Sequence, residues 1–382
     1  MFMNFKLEFI FLVFILFINS CSAIPTKNQS DIKMEIKNIV KDGKTPGIQY
    51  VAVTRKKILI NESYGLADIK SNKQMNQSTQ LMAYSMTKTF IAVLALRLQE
   101  KGKLSIEDNV SKYLPALPYG SELKIKHLIN QTSGIPSPIP LKWAHSSKVD
   151  KDFNEKAIFW KRIKENPELD FAPGDKFKYS NLSYATLGQV IETITAKSLF
   201  EVFQEEINGP LGISKNDLRF NYIEGQEYAV GYLKRWSMIN FLKFFFVDSK
   251  LYDEYENGWL KINRHNVDYK AMGGLIGNAK TVAIFLQDLL KNDSKLLNSE
   301  SKKLLFTMTK SNTGEELPMT FGWHIGELDN KVFYFKEGGG AGYHCEMRVY
   351  PEHDLATVVM SNSTTFDVKK FLNKNDHAVT EL

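Results

Sequence analysis

The chain has 382 residues, 43% of them apolar, with 49 basic and 43 acidic side chains interspersed for a net charge of +6. That much apolar material can bury a sizeable core, and no repeat of roughly 20–50 residues argues for a solenoid. The basic excess forms no Lys/Arg stripe with aromatics beside it, so no nucleic-acid partner is expected; it reads as a solvated surface, weakly attracted to anionic envelopes.

Lys6 gives the amino terminus a weakly positive start, and Phe9 to Ile18 is an unbroken apolar run ending at Asn19-Ser20-Cys21-Ser22-Ala23. The run is too short to span a bilayer and reads as a signal peptide over 1–21. Its end has two readings. Ile18-Asn19-Ser20-Cys21 resembles a bacterial lipobox, with Cys21 lipidated, and Cys21-Ser22-Ala23 is also a small-residue cleavage site. The lipoprotein reading is favoured, because a cysteine is otherwise unusual there. It implies a cell-envelope location with a membrane contact through the lipid, the alternative being a periplasmic or secreted protein. The only other cysteine is Cys345, so no disulfide is expected.

Residues 22–35 are polar and read as a tether. Ile48 to Val53 and Lys57 to Ile60 look like a hairpin. Thr87 to Lys101 carries Phe90, Ile91, Leu94 and Leu98 at helical spacing and stops at Gly102; Leu187 to Ile194 and Thr281 to Leu290 share that period. Trp236 to Val247 is nearly all apolar, with Lys234, Arg235 and Lys243 in or beside it. Its plain reading is a buried helix; a hydrophobic lid or a lipid-touching surface are the alternatives. Four strand-like runs close the chain: Gly322 to Gly326, Val332 to Lys336, His344 to Tyr350 and Leu355 to Ser361. The third alternates Cys345, Met347 and Val349 with Glu346 and Arg348, as a half-buried strand would. Strands, helices, then strands imply a mixed α/β fold. One antiparallel sheet would come from both chain ends, about 36–66 and 270–372, with a mostly helical part, about 67–269, inserted between.

Three short patterns bear chemistry. In Ser85-Met86-Thr87-Lys88 the hydroxyl and the amine are one helical turn apart and can meet. A serine hydroxyl needs such a base to act as a nucleophile, and a lysine near a helix start can have a lowered pKa. In Tyr179-Ser180-Asn181, after the Pro173-Gly174 turn, the phenol is a candidate general acid or base if nearby ammonium groups lower its pKa, and Asn181 can bond a lysine and a substrate amide. In Lys336-Glu337-Gly338-Gly339-Gly340 the glycines let a backbone or a substrate approach the strand closely, where a main-chain N–H can hold an oxyanion. Each also has a plainer reading: a helix serine with an exposed lysine, a turn tyrosine with Asn181 capping the next helix, and a glycine-rich hairpin.

Taken in this order, the three patterns resemble S-x-x-K, Y-x-N and K-T-G of the serine β-lactamases, DD-peptidases and related esterases. Lys126 to Pro136, Tyr184 to Gly188 and Ala271 to Ile276 resemble that family's linking segments, and the likeness runs from about 45 to 362. It implies an acyl-enzyme on Ser85, with Lys88 and Tyr179 handling protons. Asn181 would orient Lys88 and substrate, and Lys336 would support Tyr179 or hold a substrate carboxylate. An oxyanion hole would come from Ser85 and Gly339, the latter just after Lys336-Glu337-Gly338. No cofactor is implied, and the seven histidines show no zinc-ligand spacing. His344, near the third pattern, reads as a strand-surface histidine.

The departure is Glu337, where a carboxylate would repel a carboxylate-bearing substrate. Glu168, in Asn166-Pro167-Glu168-Leu169-Asp170, resembles a deacylating glutamate, but it precedes Tyr179 where the family pattern has it after, and it reads as a solvated loop. Three functions follow. The leading one is an exported hydrolase of esters or small amides. The others are a DD-peptidase or weak β-lactamase, and an inactive envelope binding protein. The pocket walls are expected from 140–170 and 235–265, where the sequence says least about substrate.

Overall fold

The computed structural model describes residues 29–138 and 143–379. The signal-peptide segment and Cys21 therefore lie outside the described residues. Helix α1 (Gln29–Lys41) corrects the tether reading from residue 29 onward: Ile32 and Ile36 are buried at helical spacing, so this stretch docks on the domain.

The sheet is built from both chain ends, as the strand–helix–strand order implied. Its early strands are β1 (Gly47–Val53), β2 (Ile58–Asp68) and the short β3 (Lys73–Gln74). Its late strands are β4 (His324–Leu328), β5 (Lys331–Gly340), β6 (Tyr343–Tyr350) and β7 (Leu355–Ser361). The spatial order is β4-β5-β6-β7-β1-β2-β3, antiparallel throughout, with the two chain ends meeting where Ile48 pairs with Ser361. Alternate residues of β1 enter two different cores. Val51 and Val53 join the core that contains helix α2 (Thr87–Glu100), and Tyr50 and Ala52 join the one built on α1 and the C-terminal helix.

That double covering changes the reading of β6. It is not half-buried: Glu346 and Arg348, expected at a solvated face, are buried. The C-terminal helix, Val368–Val379, packs on that face and carries Asp376. Arg348 Nε lies 2.5 Å from Glu346 and its Nη1 3.2 Å from Asp376. A buried guanidinium demands such partners, and here they are supplied across the core. The helix also carries the domain to 379, beyond the expected end at 372.

The inserted part is less purely helical than its periodicities implied. It holds a three-stranded sheet of Gly231–Lys234, Trp259–Ile262 and Tyr252–Glu256, and a pairing of Ala144–Ser146 with His265–Val267. The buried-helix reading of Trp236 to Val247 is overturned. The segment forms two short turns, Met238–Phe241 and Lys243–Phe246, and leaves several large apolar side chains in solvent. Helix α2, by contrast, is buried almost all round from Thr87 to Leu96, which places its first turn at the centre of the molecule.

Candidate active site

Ser85 sits in a 3-10 turn, Tyr84–Met86, that leads directly into α2. Tyr84 takes φ +42°, a left-handed conformation that costs an ordinary residue about 1–3 kcal/mol. Its hydroxyl is anchored 2.8 Å from His265 Nε2 and 3.0 Å from the Ala341 carbonyl. The glycines of β5 explain how the strand reaches this turn. A Cβ on Gly338 would lie 2.1 Å from the Ala83 carbonyl oxygen, and one on Gly340 would lie 2.4 Å from the Tyr84 ring. Only bare backbone fits there, so the strand edge lies against the serine.

The three separate patterns converge on Ser85. Lys88 Nζ is 3.2 Å from Ser85 Oγ, and the Tyr179 hydroxyl donates to the same Oγ at 2.7 Å. Lys88 also donates to Asn181 Oδ1 at 2.9 Å and to the Met272 carbonyl. Asn181 is free to do so because Ser180, not Asn181, caps the helix Asn181–Thr195 by accepting from the Ser183 N–H. Both Lys88 Nζ and Lys336 Nζ lie 5.0 Å from the centre of the Tyr179 ring.

Burial sets the charges. Lys88 and Lys336 are 0% and 1% exposed. Burial, and then the neighbouring Lys336, hold the Lys88 amine well below its ordinary pKa. Burial brings Lys336 down to about 7 against the opposing pull of Glu337. The Tyr179 phenol moves the other way. Burial raises it, Glu337 adds to the rise, and the bond to Ser85 only partly offsets them. The lowering considered from the sequence is therefore reversed, and the phenol is a proton donor. As an ammonium, Lys88 donates to Ser85 Oγ, Asn181 and Met272 alike; as a free amine it would keep two N–H groups for Asn181 and Met272 and turn its lone pair to the Ser85 hydroxyl. The arrangement can deprotonate a nucleophile on one side and protonate a leaving group on the other.

The serine opens into a cavity of about 680 Å³, lined also by Tyr179, Asn181 and the backbone at Gly339. Its walls are apolar: Trp143, Leu233, Ile239, Val247, Leu251 and Val267. Several of these come from the segments expected to build the pocket. Glu337 does not line it. Its side chain is half exposed and bonds His344 Nε2 at 2.6 Å, which holds the carboxyl below its usual range. Burial opposes charge on His344, but the bonds to Glu337 and the Phe366 carbonyl, with the charges of Glu337 and Glu346, together raise the imidazole pKa. His344 is thus a partner of the departing residue rather than a bare surface histidine. Glu168 is exposed on a loop outside the cavity. Among the described residues, no group of three or more His, Cys, Asp or Glu could hold a metal ion.

Sequence reasoning missed His324 and the supporting pair Tyr84 and His265. His324 Nε2 lies 3.4 Å from Lys336 Nζ, and burial and then the two lysines press its pKa down to about 3. It is a neutral ring beside the buried Lys336 amine. Nothing in Trp323-His324-Ile325 signals this, because the contact depends on β4 pairing with β5.

A two-ended antiparallel sheet with this serine, lysine and tyrosine at its edge defines a class, the β-lactamase and DD-peptidase fold. A family model described as Beta-lactamase matches residues 33–380, and the chain belongs to that family. Protein flp of Staphylococcus aureus (strain MRSA252) is 30% identical over 210 residues, 54% of this chain and 41% of that protein. Penicillin-binding protein 4* of Bacillus subtilis (strain 168) is 27% identical over 321 residues, 80% of this chain and 65% of that protein. The chain thus spans less than two thirds of either relative. Among solved structures, the D-amino acid amidase from Ochrobactrum anthropi SV3 complexed with L-phenylalanine amide superposes with a TM-score of 0.73 at 17% identity, covering 92% of this chain and 97% of that one.

Proposed function

We propose that this protein is a serine hydrolase that cleaves esters or small amides with an apolar group next to the scissile carbonyl. The observation that carries the reading is the double contact on Ser85 Oγ, an amine on one side and a phenol on the other. The Lys88 lone pair takes the hydroxyl proton as Oγ bonds to the carbonyl carbon. The carbonyl π pair moves onto oxygen, where the N–H groups of Ser85 and Gly339 stabilise it. Collapse breaks the bond to the leaving group, which takes the Tyr179 proton. The Lys88 ammonium returns a proton to the phenolate, and both lysines stabilise that phenolate meanwhile. Water then attacks the ester by the same steps and releases the acid. Labelling with a fluorophosphonate, together with release of p-nitrophenol from acyl esters, tests the reading. An inert Ser85 would leave only the binding-protein alternative.

A second reading, a DD-peptidase or weak β-lactamase, is supported by the retained Lys336 beside Tyr179. Against it stands Glu337, whose charge His344 offsets only in part. Glu337→Thr is expected to raise the acylation rate by a fluorescent penicillin about tenfold, since it removes a like charge from the approach of the β-lactam carboxylate. An unchanged or slower rate would assign no such barrier to Glu337. The N-terminal run supports an exported protein of the bacterial envelope, anchored through lipid on Cys21. Incorporation of labelled palmitate, lost in Cys21→Ala, is the expected result; no incorporation leaves the ordinary signal-cleavage alternative.

A further inference from the structure

We infer that Trp236 to Phe245 is an interfacial anchor that seats the rim of the cavity on an anionic phospholipid surface. The segment exposes large apolar side chains where a folded domain would ordinarily bury them. Trp236 is 88% exposed, Met238 and Phe241 75% each, and Phe244 and Phe245 more than half. Scattered single exposures are ordinary, whereas five within ten consecutive residues form a patch. The inward residues of the same segment behave differently. Asn240 is buried and donates to the Arg235 carbonyl, and Ile239 and Val247 wall the cavity. One face is therefore fixed to the domain, and among the described residues the other is left largely in solvent.

The charge around the patch decides the occupant. Within residues 234–250, Lys234, Arg235, Lys243 and Lys250 stand against the single acid Asp248, and the acids of the adjoining strand are paired, Asp253 and Glu256 with Lys261 and Glu254 with Lys70. The Arg235 guanidinium stacks over the Trp236 and Tyr255 rings, and Lys243 lies over Tyr252. Aromatic rings with cations against them match the boundary between headgroups and acyl chains, where rings bury and cationic groups meet phosphates. A second protein would need complementary acids around an apolar recess; a lipid surface needs only negative headgroups. The two turns are far too short to cross a bilayer, for which about 20 residues are needed, so the segment lies in the interface. Because Ile239 and Val247 belong to the same segment, docking holds the cavity at the membrane surface.

The experiment uses the full chain and vesicles containing brominated phosphatidylglycerol, which quench only tryptophans that reach the acyl region. Of the five tryptophans, Trp143, Trp259 and Trp323 are buried and Trp160 is partly so, leaving Trp236 as the reporter. Quenching is expected in the unmodified chain and is expected to vanish in Trp236→Phe. Any N-terminal lipid or leader is common to both chains and cancels in the comparison. Arg235→Gln with Lys243→Gln should weaken partitioning into these vesicles about 20-fold, and added salt should do the same. Phe241→Ser with Phe244→Ser should weaken it by more than about tenfold while ester turnover in solution persists. Three results would overturn the inference. They are quenching that survives Trp236→Phe, equal binding to purely zwitterionic vesicles, and a sedimenting dimer that Phe241→Ser with Phe244→Ser dissolves.

Discussion

Ser85→Ala is expected to abolish turnover, lowering kcat/KM for an acyl ester by about 10³-fold or more, and to remove the fluorophosphonate label. The argument is chemical: among the described residues no other hydroxyl receives both the Lys88 amine and the Tyr179 phenol. The fold should tolerate the change. Ser85 is only partly buried and supports no backbone bond through its side chain. The substitution leaves the Tyr179 O–H without its acceptor, a loss of about 1 kcal/mol, or a few degrees in Tm at most. A melting curve near that of the parent, with activity gone, is the expected pair of results. Turnover that survived the substitution would remove Ser85 from the reaction altogether.

Lys88→Arg is expected to lower kcat/KM by about 10²- to 10⁴-fold, because a guanidinium stays protonated and offers no lone pair to the serine. The pH dependence follows from the same charge state. The base works as the free amine, so the rate rises with pH and levels off above the lowered pKa of Lys88. The depression comes first from burial and then from the charge on Lys336. Lys336→Met removes that charge while keeping the stem in the core. The Lys88 pKa then rises, and the acidic limb of the pH–rate profile moves to higher pH. A limb that stays in place would show that Lys336 does not act on the base through its charge. A wild-type rate falling steadily from low pH would contradict an amine base.

Several features of the site were legible because they are local. The one-turn spacing of Ser85 and Lys88 depends only on helical geometry, and α2 forms where the apolar period placed it. The glycines after Lys336 announced a close backbone approach, and Gly338 makes one, although against the chain's own Ala83 rather than a ligand. Where long-range packing decides, the same reasoning went astray. Alternation in His344 to Tyr350 indicated one wet face, but a strand's own pattern cannot report that a helix some 20 residues later covers that face and brings Asp376 to Arg348. Trp236 to Val247 carries enough apolar residues for a buried helix, yet among the described residues its outer side stays exposed.

By itself, then, the sequence determined the family, through the resemblance of its three short patterns, and the one-turn pairing of Ser85 with Lys88, which rests on helical spacing alone. Only the tertiary structure decided how those groups are charged. Desolvation depends on what surrounds an atom in space, and it is the enclosure of Lys88, Lys336 and Tyr179 in one core that lowers the pKa of both amines and raises that of the phenol.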